Sequence, residues 1–306
     1  MSGEMTTLAD RAARPRRNFL ARMLGLGAGA SGLALAGSAR TAEAQQGAIN
    51  DAAILNFALN LEYLEGAFYT YAVTGAGLEA QGIPTSGSGN FGPDIVKANS
   101  QVPFTSPLVQ QFAMELAIDE QKHILDLRNL LSGMGVTPVA KPAIDLLNSF
   151  NLAARMAGLG NSFDPFASDV NFLLGSYVFE DVGVTAYHGA SPFVTSPTIL
   201  GYAAGILAVE GYHAGSIRAQ LYQANQGAAT QAISNLRATA SAARDDYGVA
   251  QGPGGAGPAN NTSIVLSDAT GQAFARSFRQ VLNVVYLAPN APSGGFFPNG
   301  VNGPIR

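Results

Sequence analysis

Two short words constrain this chain more than any other feature: Glu120-Gln121-Lys122-His123 and Glu210-Gly211-Tyr212-His213. Each sets a Glu and a His three residues apart inside an apolar run without proline. Residues so spaced leave the same face of an α-helix about one turn apart. The whole chain holds three histidines and nine glutamates in 306 residues, so two such pairings are hard to ascribe to chance. Composition narrows what the words can do. There is no cysteine, which removes disulfides, thiolate zinc sites and iron–sulfur clusters together. Hydrophobic residues make up 47% and charged residues 12%, about half the usual charged share. The net charge of −4 offers no basic excess to meet phosphates, so nucleic acid is not an expected partner.

The first 44 residues read as an export signal. Arg16-Arg17-Asn18-Phe19-Leu20 resembles a twin-arginine word, and a Gly/Ala/Leu-rich stretch follows from Met23 to Ala36. Ala42-Glu43-Ala44 then offers small residues for cleavage after Ala44. The apolar run is short and Gly-rich for a spanning helix, so no stable membrane anchor is expected after cleavage. The segment carries six Arg against one Asp and two Glu, so its removal leaves a charge near −7. A periplasmic or secreted location follows as the expectation.

The rest of the chain reads as helices. Residues 51–73 show helical periodicity, with Asp51 suited to cap the start and Glu62 and Glu65 among large apolar residues. Residues 75–106 are rich in Gly, Pro, Ser and Asn, and so long a stretch suggests a functional loop or a mobile flap. Helix periodicity returns over 107–132 around Glu120 and His123. A connection over 133–165 is long enough to run the length of a bundle. Further helices are expected over 166–189 around Glu180, over 198–224 around Glu210 and His213, over 228–247, and over 264–287. The tail 289–306 is rich in Gly, Pro and Asn. The expected organisation is a signal over 1–44, a bundle over 45–247, and a linker, last helix and tail over 248–306. Arg218, Arg237, Arg244, Arg276 and Arg279 are expected on solvated helix faces.

The first four long helices look like a doubled hairpin. In each half the first helix carries a Glu and the second carries Glu-x-x-His. Their apolar flanks imply burial, and an unpaired buried carboxylate is costly unless a cation or proton meets it. Lys and Arg are too few nearby to pair with them all, whereas two divalent ions would balance four carboxylates. A carboxylate and imidazole set without thiolate suits iron or manganese ahead of zinc or copper.

This pattern resembles the ferritin-like di-iron carboxylate proteins. The run Ile118-Asp119-Glu120-Gln121-Lys122-His123 is similar to a run in bacterioferritins, as is the spacing of Glu62 to Tyr69. The words ALNLEYLEGAFY and FEDVGVTAYHGA look closest to the desiccation-related branch, which includes exported bacterial proteins. The resemblance covers roughly residues 48–225. It implies an all-α, left-handed four-helix bundle with one long crossover. It also implies a dimetal site of Glu62, Glu120, His123, Glu180, Glu210 and His213, in which Glu120 and Glu210 bridge. Glu65 stands one turn from Glu62 as an additional or alternative ligand, and Tyr69 and Tyr187 as groups supporting the ligands.

The expected cofactor is two Fe ions, with two Mn ions as the alternative. The expected chemistry is an oxidoreductase or ferroxidase reaction with O2 or H2O2. A manganese catalase-like enzyme and a non-catalytic stress or desiccation protein are the rivals. A homo-oligomer fits this reading. A ferritin cage does not, because the 75–106 loop and the chain beyond 225 are foreign to cage-forming ferritins.

Overall fold

The computed structural model describes residues 49–243, 245–249 and 264–306. The expected export signal over 1–44, Arg244 and most of the linker over 248–263 lie outside the described residues. Seven α-helices are present among the described residues: α1 Asp51–Thr74, α2 Pro107–Gly133, α3 Asn148–Met156, α4 Asp169–Ala190, α5 Pro197–Gln223, α6 Gly227–Ser241 and α7 Phe278–Val285. Two short strands, β1 Asp94–Ile95 and β2 Ile144–Asp145, pair in parallel. The result is an all-helical bundle in which α1 packs chiefly on α2, and α4 on α5.

Helix starts fix how the pairs stand together. The caps of α2 and α5 are the same device: Ser106 and Ser196 accept from the backbone three residues on, and Pro107 and Pro197 fill a first-turn position that needs no N–H. Asn50 caps α1 by accepting from the Ala53 N–H at 2.9 Å. Asp51, expected as that cap, does something else. Its carboxylate accepts from the backbone N–H groups of Thr195 at 2.7 Å and Ser196 at 2.9 Å, fastening the start of α1 to the start of α5. Asp169, first residue of α4, does the same to Thr105 and Ser106 at 3.2 Å, at the start of α2. Val102 donates to the Ala72 carbonyl at 2.8 Å, so α2 begins where α1 ends. Helices α1 and α5 therefore start at one end, and α2 and α4 at the other. The connection from α2 to α4 must travel the bundle length, about 36 Å for a helix of 24 residues.

That crossover gives the 75–106 loop its place. The two run side by side as a narrow parallel ribbon. Ser88 donates to Pro138, Lys141 to Thr85, Gly92 to Lys141 and Leu146 to Ile95, at 2.8 to 3.0 Å. The backbones approach so closely that a Cβ on Gly92 would stand 2.3 Å from the Ala143 nitrogen. Lys141, buried in the ribbon, donates to the Asp94 carboxylate and to the Gly92 carbonyl. The loop is thus a fastened strap.

The C-terminal part belongs to the same unit as the bundle, residues 48–306. Phe296 packs on Phe150 and Phe179, with ring centroids 5.1 and 4.9 Å apart. Phe150 and Phe179 in turn surround Phe68 of α1. Asn302 exchanges hydrogen bonds with buried Asn60 of α1 and donates to Asn90 and Ala140.

Three sequence expectations need correction. The last helix covers only 278–285 and not 264–287. Asp268 turns the chain by accepting from Thr270 and Gln272, and Arg276 is drawn into the interior, so the preceding segment cannot coil. The helix expected over 228–247 ends at Ser241, where Ala242 turns to a φ of 56°. Arg218, Arg237 and Arg276 are not on solvated faces: each is 1–2% exposed. Arg218 and Arg237 donate to Asp181 at 2.7 and 2.9 Å. Arg237 also reaches Asp246 at 2.8 Å, and Arg276 reaches Asp245 and Asp246 at 2.9 Å. Three guanidiniums and three carboxylates thus neutralise one another behind α4, which is how charges of this kind survive burial.

Candidate metal centre

The six residues of the sequence pattern converge between the four long helices. Glu62 comes from α1, Glu120 and His123 from α2, Glu180 from α4, and Glu210 and His213 from α5. The four glutamates are 0–1% exposed and the two histidines 7% and 5%. They fall into two overlapping sets of four. Glu62, Glu120, His123 and Glu210 form one set, and Glu120, Glu180, Glu210 and His213 form the other. Within each set one oxygen or nitrogen per residue lies within 4.8 Å of all the rest. Glu120 and Glu210 belong to both sets, so each carboxylate faces two positions at once.

The imidazoles present Nδ1 to the cluster. His123 Nδ1 lies 3.2 Å from Glu120 Oε2, 3.3 Å from Glu62 Oε2 and 3.7 Å from Glu210 Oε1. His213 Nδ1 lies 3.3 Å from Glu120 Oε1 and 3.4 Å from Glu180 Oε2. The far nitrogen of His213, Nε2, lies 3.5 Å from the Asp119 carboxylate, and Phe112 meets the same ring edge-on at 6.4 Å between centroids.

The tyrosines brace the halves crosswise. Tyr69 stands on α1 but donates to Glu180 of α4, and Tyr187 stands on α4 but donates to Glu62 of α1. Burial, then the neighbouring carboxylates, raise both phenols well above their ordinary range, so each remains a donor. These bonds occupy one oxygen of each outer glutamate. The other oxygens, Glu62 Oε2 and Glu180 Oε2, have no hydrogen-bond partner, nor do Glu120 Oε1 and both oxygens of Glu210.

The electrostatics describe a site short of positive charge. Burial, then the charge on Glu120, pushes the Glu62 carboxyl up from 4.5 to about 7. Burial and the surrounding carboxylates raise Glu210 well above the usual range. Glu120 is held low: burial opposes its charge, but the imidazoles of His123 and His213 close beside it outweigh that. Burial opposes charge on the two imidazoles as well, yet their carboxylate neighbours raise both to about 11. With protein groups alone, the histidines must serve as cations for the glutamates. Buried carboxylate oxygens without donors, facing imidazole nitrogens, form a donor set that suits divalent cations of the iron or manganese kind.

Glu65, the alternative to Glu62, is buried at 4% exposure but belongs to neither set. Burial and the charges of Glu120, Glu180 and Glu62 raise its carboxyl well above the usual range. His188 lies apart, with Nδ1 3.2 Å from the Phe274 carbonyl. One further residue carried no signal in its own type: Gly183, three after Glu180. A Cβ there would stand 2.3 Å from Glu210 Oε2, so only glycine leaves room for that carboxylate.

The comparisons agree with this geometry. The chain is 33% identical to the desiccation-related protein PCC13-62 of Craterostigma plantagineum over 178 residues, which are 57% of this chain and 54% of that protein. It therefore spans about half the length of that relative. It is 29% identical to the ferritin-like catalase Nec2 of Nesocodon mauritianus over 276 residues, 83% of this chain and 84% of that protein. No solved structure matches it. Buried carboxylates and imidazoles on four helices fit a dimetal protein, and residues 50–223, which hold all of them, match the ferritin-like domain: the chain belongs to that family.

Proposed function

We propose that this chain holds two Fe or two Mn ions at Glu62, Glu120, His123, Glu180, Glu210 and His213 and uses them to break down hydrogen peroxide. The observation that carries the metal reading is the pair of overlapping four-residue sets that share Glu120 and Glu210. The relative named as a ferritin-like catalase, aligned over 83% of this chain, supports peroxide as the substrate. In the balanced reaction two H2O2 give two H2O and one O2. A redox-active metal pair held by these residues would supply and take back the two electrons that O–O cleavage requires.

The chain's own residues would make that possible in four ways. Glu120 and Glu210, common to both sets, would each serve both ions. Tyr69 and Tyr187 each tie up one oxygen of an outer glutamate, so that the free oxygen points inward. His123 and His213 would offer Nδ1 to the ions as neutral ligands, so metal uptake would be expected to release protons. Low exposure keeps bulk water from the cluster.

Metal analysis of the folded protein, followed by O2 release from H2O2 with Fe-loaded and Mn-loaded samples, tests the reading. Two metals per chain and O2 evolution are expected, and both should be lost in Glu120→Ala and His213→Ala. Two metals without turnover would instead favour a structural role, as the name of the desiccation-related relative suggests. No bound metal would end the proposal. We also propose that residues 1–44 direct export by the twin-arginine route. Cell fractionation should then find the protein outside the cytoplasm, and Arg16→Lys with Arg17→Lys should hold it inside.

A further inference from the structure

Between the four long helices, at the end where α1 and α5 begin, lies a narrow apolar pocket that holds none of the six candidate ligands. Ala58 and Leu61 wall it from α1, Leu127 from α2, Tyr187 from α4 and Ala203 from α5. Its space is about 30 Å³, roughly two to three times what one water molecule needs. No charged side chain lines it. Of the hydroxyls in its wall, Ser191 donates to the His188 carbonyl at 2.8 Å and Tyr187 donates to Glu62, so neither is left for a guest. A water inside would lack the polar partners it needs, and apolar cavities of this kind stay dry and take up apolar guests such as xenon.

The two ends of the pocket differ. The inner end abuts the metal centre: Leu61 adjoins Glu62 in sequence, Leu127 follows His123 by one helical turn, and the Tyr187 ring carries the phenol that donates to Glu62. At the outer end, Leu130, Ile199 and Tyr202 belong both to the pocket and to an open cleft between the end of α2 and the start of α5. Tyr202 stands at that mouth, 49% exposed. The cleft beyond it carries the polar side chains of Asp126, Asn129 and Thr198. An apolar space thus stands between an open cleft and the edge of the candidate site.

Resting on the dimetal reading above, we propose that this pocket holds and passes dioxygen between the cleft and the metal centre, and that it turns hydrogen peroxide away. Both molecules are small enough for the space. Dioxygen is apolar and gives up no hydrogen bond on leaving water, whereas peroxide would lose hydrogen bonds that the pocket cannot replace. The O2 formed from two H2O2 therefore has an exit that peroxide does not enter, and peroxide reaches the centre from another side.

The test has two arms. In the first, crystals of the full chain are held under xenon pressure, with no metal required. Xenon is expected among Ala58, Leu61, Leu127 and Tyr187, and it should be absent from Ala58→Leu, whose longer side chain fills the space. An empty pocket in wild type, or xenon confined to the other apolar pocket around Phe150, Phe163 and Phe296, would overturn the proposal. In the second arm, wild type and Ala58→Leu are loaded with Fe(II), their metal content is counted, and oxidation is followed by stopped flow. Two metals per chain are expected in both. Oxidation by O2 should be at least tenfold slower in the variant, while oxidation by H2O2 stays within twofold of wild type. Unslowed oxidation by O2, or equal slowing by O2 and H2O2, would overturn the proposal and leave the dimetal reading standing. A wild type that takes up no metal pair would overturn the dimetal reading and the passage with it, while xenon still decides whether the pocket takes an apolar gas. Should Ala58→Leu not fold, Ala203→Leu, at a half-buried position on the same pocket, takes its place with the same expected results.

Discussion

Removing the metals should invert how this protein responds to pH. The perturbation is chelation, and the group that reports it is Glu62. Its carboxyl has an ordinary value of 4.5 and is pushed up to about 7 in the metal-free fold, by burial first and by Glu120 second. A carboxyl whose folded value lies above its unfolded one keeps its proton longer in the native state. The native state then binds more protons between pH 4.5 and 7, and stability falls as pH rises through that window. At about 1.4 kcal/mol per pH unit, the window is worth about 3 kcal/mol. His123 and His213 continue the trend, since both are raised from 6.5 to about 11. Their contribution is full below pH 6.5 and is lost as pH climbs toward 11. For a chain of this size, about 3 kcal/mol corresponds to about 6–12 °C in Tm. Calorimetric melts of chelated protein from pH 5 to 7 should therefore show a falling Tm, and the gap to metal-loaded protein should widen over the same range. Metal-free Glu62→Gln supplies the control: it should lack this component and melt above metal-free wild type at pH 8. A metal-free Tm that is flat or rising from pH 5 to 7, or an unchanged slope in Glu62→Gln, would refute the reasoning.

Three other outcomes follow from the structure. Tyr187→Phe removes the donor that fixes Glu62 Oε1 and lets the carboxylate turn its free oxygen away from the cluster, so metal affinity should fall by about 10–100-fold in a competition titration while the fold persists. Arg237→Met leaves Asp181 and Asp246 short of a buried partner, and urea melts should register a loss of about 3–5 kcal/mol. Phe296→Ala empties the ring cluster against Phe150 and Phe179 and should cost about 3–5 kcal/mol in the same assay.

The residues of the candidate metal site were legible because their chemistry is local. Glu and His three apart on a helix must share a face, and apolar flanks must bury them, so Glu120, His123, Glu210 and His213 could be read without coordinates. The spacing of Glu62 to Tyr69 marked a helix face, but not that the tyrosine would reach across to Glu180. That bond depends on how two hairpins meet. Burial of Arg218, Arg237 and Arg276 was invisible for a similar reason. Their partners lie in a coil at 245–246 and on another helix at 181, and nothing in an isolated helix distinguishes a solvated arginine from one awaiting a distant aspartate. The 75–106 loop read as loose because its composition is loose. What fastens it is a parallel register with 138–146, a long-range pairing that composition does not encode.

The charge network behind α4 sets an order in time. Asp181 adjoins Glu180 in sequence and stands buried, but its cationic partners are Arg218 and Arg237, and Asp246, which shares Arg237, also holds Arg276. A chain still being synthesised has made Glu180 well before it has made Arg276. Until Arg218 and Arg237 follow, Asp181 of α4 lacks its cationic partners. The first hairpin precedes all of these partners in the chain, and the charge network behind α4 is complete only once Arg276 has been made. A chain cut after α5 would keep Glu62, Glu120, His123, Glu180, Glu210 and His213 but lose two of the three guanidiniums and two of the three carboxylates that neutralise one another behind α4.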